Sequence, residues 1–336
     1  MSLAPMVDEL VDDRYLAASA IAEDYVRSLA ADILGRTGPD FEPVPELAFA
    51  HAWLLAEANA ERRPIPGRDE LAAAIGSSRE MFDHVTQLYP DYLIGERSGP
   101  SILLKGPALR LWEEYFGPAN PLYDIHNQLG WIGVREAARR LGRPAHVLEL
   151  GAGTGGGTEA ILRGLQRDGE TLASLTVSDI SPTFLINTLE RLARSIDPFP
   201  VPVQRRKLDF TRPITEQGVG PGSVDILLGI NALHNGSDLV ASVSALRPAL
   251  ADDGYLIVSE SLCSPGRHVH QDFVFNLLPL ERRTHSSAAS RFLHARAWEE
   301  ILRAGGFTAE VHSNSRGPEL ALLAIARLAI DAPRLC

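Results

Sequence analysis

Cysteine is nearly absent. Cys263 and Cys336 are the only two in 336 residues, too few for a disulfide framework or a thiolate metal site. Such sparse usage is expected of a protein in the reducing cytoplasm. No apolar run reaches the roughly 18 residues that crossing a bilayer requires. The acidic start MSLAPMVDELVDD lacks the basic and apolar regions of a signal peptide. There is no polybasic run either, and 43 acidic residues against 32 lysines and arginines leave a formal net charge of −11. Neither nucleic acid nor an anionic membrane is therefore an expected partner, because both are held by neutralising phosphates. Internal repeats and low-complexity segments are missing as well.

What is present is ordinary globular material: 45% hydrophobic and 22% charged residues, enough for a core in a chain longer than a typical single domain. The first hundred residues read as helical. YLAASAIAEDYVRSLAADIL and PELAFAHAWLLAEANA keep apolar residues three and four apart. RDELAAAIGSSREMFDHVTQLY gives two short helices divided at Gly76, and YLIGERSGPSILL predicts a β-hairpin turning at Ser98-Gly99-Pro100. Helix, turn, helix and wing predict a winged-helix-like module over residues 1–116. Its second helix is too poor in basic residues to read DNA, so a substrate lid or a homodimerisation element is the expected use.

From residue 117 the character changes. Apolar strands (AHVLEL, SLTVSD, VPVQRRKLD, VDILLGI, GYLIVSE) alternate with helices, which predicts an α/β Rossmann-like, doubly wound sheet over 117–336. A last helix and two further strands, which bring the sheet to seven, are expected as a hairpin on its edge. The bridging stretch GPANPLYDIHNQLGW offers Tyr123, His126 and Trp131 either as cover for a site, with Tyr123 a candidate catalytic group, or as packing.

The loop LELGAGTGGGT joins the first of these strands to a helix. Gly151, Gly153 and Gly156 match the dinucleotide spacing, so glycines alone do not choose the nucleotide, and a nicotinamide-dependent oxidoreductase stays open. Charge favours another ligand. Glu149 would repel a pyrophosphate and attract an ammonium or sulfonium, as in S-adenosylmethionine. Asp179 ends the second strand, where a carboxylate can accept from both ribose hydroxyls, and Asp209 ends the third, in reach of an adenine amino group. Helix capping competes for each of these acids, most seriously for Asp179.

The blocks LELGAGTGGGT, VSDISPTFL, KLDF, EQGVGPGSVDILLGINALHNGSDL, LRPALADDGYLIVSES and WEEILRAGGF stand in the order of the motifs of class I S-adenosylmethionine-dependent methyltransferases. The chain resembles most the methyltransferase domains of polyketide synthases, and its first part resembles the winged-helix module of small-molecule O-methyltransferases. The resemblance implies that Glu149, Gly151 and Gly153 hold the methionine part of the cofactor, with Ala152, Thr154 and Ile180 as further cofactor contacts. Asp179 would hold the ribose, Asp209 and Phe210 the adenine, and Asn231 would lie beside the methyl group. It further implies that His234 is a general base and Glu260 the acid that orients it. The expected reaction is methylation of carbon or oxygen in a small-molecule or carrier-bound polyketide-type intermediate. Asn235-Gly236 departs from the small residue and threonine usual in those domains.

The chemistry of the dyad is plain. A histidine takes a proton near neutral pH, and a carboxylate on its other nitrogen fixes the tautomer and stabilises the imidazolium. The competing role for His234 is a cap for the helix starting near Ser237. Two further clusters remain. His268, His270 and Asp272 on an extended loop form a candidate metal site for a metal-assisted variant of the reaction, or a polar substrate-facing loop. Arg282, Arg283 and Arg291 are candidate anion contacts, or plain surface arginines.

Overall fold

The computed structural model describes residues 3–264, 268–278 and 290–329; Arg282, Arg283 and Cys336 lie outside them. The chain divides into two compact units. A sheet unit comprises Met1–Leu10, Asp124–Leu262 and Phe292–Cys336, and a helical unit comprises Val11–Tyr123 and Cys263–Arg291. This differs from a cut at 116/117: the segment following the fifth strand groups with the N-terminal helices, and the first ten residues group with the sheet.

In chain order the helices that precede the sheet are α1 (Ala4–Leu10), α2 (Asp13–Thr37), α3 (Ala48–Ala58), α4 (Arg68–Ile75), α5 (Ser78–Leu93), α6 (Gly99–Leu103), α7 (Ala108–Phe116) and α8 (Pro121–Leu141). Then follow β1 (His146–Leu150), α9 (Gly156–Asp168), β2 (Ser174–Asp179), α10 (Pro182–Ser195), β3 (Val203–Lys207), β4 (Val224–Ile230), α11 (Leu239–Leu246) and β5 (Leu250–Ser261). The chain closes with α12 (Val269–Phe275), α13 (Ala295–Ala304), β6 (Phe307–Ser313) and β7 (Ala321–Leu328). No helix among the described residues is long and apolar enough to cross a membrane.

Among the described residues the helical unit has no wing. Tyr92 and Leu93, expected in a strand, complete α5, which continues through Pro90. The Ser98-Gly99-Pro100 signal starts a helix instead of turning a hairpin: Ser98 Oγ accepts from Ser101 N and Pro100 sits in the first turn of α6. Proline early in a helix and serine at its cap use the same residues as a turn, which is why the pattern misleads. Elsewhere the periodicity holds. Helix α2 begins at an Asp12 cap that accepts from Tyr15 N at 2.8 Å, and the break between α4 and α5 falls at Gly76.

The sheet unit carries seven strands in the order β3-β2-β1-β4-β5-β7-β6. Strands β1 to β5 run parallel, and β7 is antiparallel to both neighbours. Of the expected terminal hairpin, therefore, only β6 forms the edge. All seven residues of β4 are buried, as expected of a central parallel strand covered on both faces. One face is covered by α8, which comes very close: a Cβ on Gly130 would lie 2.3 Å from Ile230 Cδ1, and one on Gly133 would lie 2.4 Å from Ile257 Cγ2. The core on α11 and α13 joins Leu227, Val243, Leu246, Leu256, Trp298 and Leu302. Strand order reverses between β1 and β4, and in open α/β sheets the ligand crevice opens there, at the carboxyl ends of the strands.

Candidate active site

The glycine loop leaves β1 at that reversal. Gly151, Gly153 and Gly155 have φ of 65°, 54° and 84°, a left-handed run that only glycine adopts without strain. Ala152 N donates to Ser178 O at 2.8 Å and Gly153 N to Asp179 Oδ2 at 2.9 Å, which ties the loop to the end of β2. Beneath it Glu149 is 2% exposed. Its carboxylate accepts from Thr158 Oγ1 at 2.6 Å, and a Cβ on Gly157 would approach Glu149 Oε1 to 2.6 Å, so this part of α9 has to be glycine. Burial pushes the Glu149 carboxyl up to about 7 against the pull of the Thr158 hydrogen bond. A buried acid of that kind gains most from a cation. The donor set therefore suits an ammonium or sulfonium and is hostile to a pyrophosphate.

Asp179 accepts from Ser181 N at 2.8 Å as well as from Gly153 N, and burial raises its pKa. The capping of α10 falls to Ser181, whose hydroxyl accepts from Phe184 N. Asp179 thus braces the loop and is not the cap. Ile180 beside it is 62% exposed, an unusual position for isoleucine and one suited to covering a flat ring. Asp209 Oδ1 accepts from Thr211 N and Thr211 Oγ1, at 3.0 and 2.6 Å. Its backbone is clamped by Gln217, which accepts from Asp209 N at 2.8 Å and donates to Asp209 O at 2.7 Å. Gln217 is thus the reason for a Gln-Gly segment before β4. Phe210 reaches back to the loop: a Cβ on Gly151 would lie 3.5 Å from its ring.

At the ends of β4 and β5 the expected pair meets. His234 Nδ1 lies 2.7 Å from Glu260 Oε2, and His234 N donates to Glu260 Oε1 at 3.3 Å. The side chains are 1% and 0% exposed. In the tautomer with the proton on Nδ1, the Glu260 carboxylate accepts it and Nε2 is left as the basic nitrogen. His234 sits in a short 3₁₀ turn, Leu233–Asn235, and the cap of α11 is Asp238, which accepts from Ala241 N at 2.9 Å. The capping role is thereby taken by another residue.

Sequence reasoning named Asn231 and His126 but not their bonding around this pair, and it missed Phe292. The Phe292 ring lies 5.0 Å from the His234 ring at 55°. Asn231 has φ of 44°; its N donates to Ser259 O at 2.8 Å and its Oδ1 accepts from Ser261 N at 2.6 Å. His126 on α8 clamps the same strand end, with Nε2 2.9 Å from Ser261 Oγ and its carbonyl accepting from Ser259 Oγ. Each of these contacts joins residues far apart in sequence, so no local pattern announces them. Trp131 is packing: its Nε1 donates to Asp168 at 2.9 Å, and its ring would be 2.4 Å from a Cβ on Gly164.

The remaining candidates belong to the helical unit. Tyr123 packs edge-on against Phe116, with ring centroids 4.4 Å apart. His268 lies just ahead of α12, and His270 and Asp272 lie on it, where an extended loop was expected. Residues two apart on a helix face different ways, and among the described residues no group of three such side chains could hold a metal. His268 instead approaches Tyr15 Oη at 3.5 Å, while its backbone N donates to Glu23. Arg291 is 6% exposed and donates to the carbonyls of Phe275 and Leu278, so it is no surface arginine.

Residues 148–256 match the family model described as a methyltransferase domain, a stretch that carries Glu149, the glycine loop, Asp179, Asp209 and His234 and ends within β5, four residues before Glu260. The chain carries a methyltransferase domain and is similar to class I S-adenosylmethionine-dependent methyltransferases. This likeness counts against the nicotinamide alternative. Among its relatives, the methyltransferase calH of Penicillium decumbens is 36% identical over 171 residues, half of this chain and 43% of the relative. Squalestatin hexaketide synthase of a Phoma species is 28% identical over 243 residues, 70% of this chain but 9% of the synthase. The chain thus spans less than half the length of the curated relatives it matches first. In fold it is similar to the CurJ carbon methyltransferase, with a TM-score of 0.78, 18% identity and 97% of both chains covered.

Proposed function

We propose that this methyltransferase methylates a carbon of a polyketide-type acyl intermediate, with His234 as the base that removes the proton from that carbon and Glu260 as its orienting partner. The observation that carries the reading is the buried 2.7 Å contact between His234 Nδ1 and Glu260 Oε2 at the ends of adjacent parallel strands. Likeness to a carbon methyltransferase and to a hexaketide synthase supports carbon as the acceptor. When bound, S-adenosylmethionine supplies a methyl group activated by its sulfonium. The chain's part is to hold that ligand and make the acceptor nucleophilic. We assign the methionine end to Glu149, Gly151, Ala152, Gly153 and Thr154, the ribose to Asp179 and Ile180, and the adenine to Asp209 and Phe210.

A carbon flanked by two carbonyls needs only a modest base, and a neutral imidazole in a dry site is matched to it. As His234 Nε2 accepts the proton, the charge formed on the ring is stabilised by Glu260, which already holds Nδ1–H. The test separates deprotonation from methyl transfer. In D₂O without cofactor, wild type should exchange the α-protons of a 3-oxohexanoyl N-acetylcysteamine thioester, and His234→Ala should not. Added S-adenosylmethionine should then yield the α-methyl product with wild type only. Turnover by His234→Ala at the wild-type rate, with cofactor affinity intact, would sink the proposal.

A further inference from the structure

Strand β5 divides its side chains between two layers. Leu256 and Val258 join the core on α11 and α13, whereas Ile257 faces Gly133 of α8. Glu260 continues the first set and meets His234, while Ser259 and Ser261 continue the second toward α8. A central parallel strand ordinarily stays apolar on both faces. Here the face against α8 switches to two serines, both fully buried, one on each side of Glu260. Both hydroxyls meet the same residue of α8. Ser259 Oγ donates to the His126 carbonyl at 2.9 Å, and Ser261 Oγ lies 2.9 Å from His126 Nε2.

The strand needs a hold at this point. Pairing of β4 with β5 runs as far as Ile230 opposite Ser259, and the chain then turns away at Asn231. Glu260 thus lies beyond the end of its parallel neighbour, with β7 continuing on its other side. In the plane of the sheet Asn231 takes the place of that neighbour, through Ser259 O and Ser261 N. His126 acts across the plane, from the face opposite the carboxylate. The close approach of α8 brings it there. His126, Gly130 and Gly133 stand at i, i+4 and i+7 on one helical face, and the glycines let that face press on Ile230 and Ile257. Packing alone would call for an apolar side chain at 126, since a fully buried imidazole is costly unless it is bonded.

We propose that His126 is a positioning residue: by its ring and its carbonyl it holds Ser259 and Ser261, and so fixes the Glu260 carboxylate against His234. Its part in the reaction rests on the dyad reading above; the hold on Glu260 does not. The first measurement needs no turnover. A buried ring N–H held by a carboxylate exchanges slowly with water, so in the full chain labelled with ¹⁵N-histidine the His234 Nδ1 proton should give a downfield signal, identified by its loss in His234→Ala. His126→Ala removes the ring's half of the hold and should broaden that signal beyond detection. His126→Gln, whose amide can reach Ser261 Oγ, should keep it. Should His126→Ala not fold, Ser261→Ala, a smaller excision, carries the same comparison. A signal unchanged in the folded alanine variant, or absent from wild type, overturns the hold. The second measurement tests the link to catalysis. With the 3-oxohexanoyl thioester, His126→Ala should lower the single-turnover rate about tenfold or more at an unchanged Kd for S-adenosylmethionine, as a slightly misplaced base does. In a Glu260→Ala background the same change should cost less than about twofold, because its path to the base is gone. Equal losses in both backgrounds would make His126 a plain scaffold residue and overturn its positioning role. Failure of wild type to methylate this thioester would refute the function proposed above and leave the proton signal readable.

Discussion

Glu149 should make cofactor binding depend on pH in a direction and over a range that the structure fixes. With burial holding its carboxyl at about 7, the ligand-free protein keeps the proton through most of the acidic range. A cationic ligand favours the carboxylate, so binding below pH 7 must first expel that proton. Restoring the ordinary value of 4.5 on binding corresponds to about 3 kcal/mol, or on the order of 100-fold in affinity. Between pH 7.5 and 5.5 the Kd for S-adenosylmethionine should therefore rise ~20-fold in calorimetric titrations. Glu149→Gln should bind weakly and show no such slope. Stability of the ligand-free protein runs the opposite way. The folded state binds this proton more tightly than the unfolded chain, so the ligand-free protein loses stability as pH rises from about 4.5 to about 7. Above that window Glu149→Gln should be the more stable protein, by up to about 3 kcal/mol, and below it the two should converge. A wild-type Kd that stays flat from pH 5.5 to 7.5 would refute the reasoning.

Other perturbations have equally definite outcomes. Glu260→Gln keeps an acceptor for His234 Nδ1 but removes the charge that stabilises the imidazolium; single-turnover rates should fall about 10²- to 10⁴-fold with cofactor affinity unchanged. Gly155→Ala places a side chain at φ 84° and 2.2 Å from Thr188 Cγ2, so thermal denaturation should show a loss of at least about 2 kcal/mol. Gly133→Ala sets helix propensity, worth about 1 kcal/mol in its favour, against overpacking on Ile257 at 2.4 Å, worth about 1–3 kcal/mol against it. A lower Tm is expected, and an equal or higher one would mean that α8 does not approach the sheet so closely.

The parts of this fold legible in the sequence are those that a local period or a local interruption encodes. VDILLGI is the kind of short apolar run that a strand buried on both faces carries, and its abrupt end in NALHNG marks His234 without any knowledge of Glu260. The left-handed glycine loop is legible for the same reason, since its backbone demands its residues. The errors have an equally local origin. Ser98-Gly99-Pro100 satisfies both a turn and a helix start, and His268 to Asp272 looks like an extended loop until Val269–Phe275 coils. What stayed hidden is side-chain chemistry spanning long separations. Phe292 meets His234 across 58 residues, and His126 meets Ser261 across 135. Even Gln217, only 8 residues from Asp209, acts through a backbone clamp that no residue pattern spells out.

Asn231 is where these two kinds of information disagree. The family resemblance puts it beside the methyl donor, whereas its observed bonds are structural: N to Ser259 O and Oδ1 from Ser261 N. Together they lock the first residue after β4 onto the end of β5, the strand that carries Glu260. The φ of 44° then turns the chain so that His234, three residues on, comes back over that carboxylate. Asparagine is among the few residues besides glycine that visit this region routinely, so its identity follows from the turn alone. Asn231→Ala removes the Oδ1 bond and strains the turn. If Asn231 works by placing His234, the variant should lower kcat about tenfold or more and leave the Kd for S-adenosylmethionine unchanged. If the residue instead contacts the cofactor, Kd rises and kcat at saturation is kept. Measuring both constants on one variant decides between them, because the dyad and the ligand cradle are reached through different atoms of the same side chain.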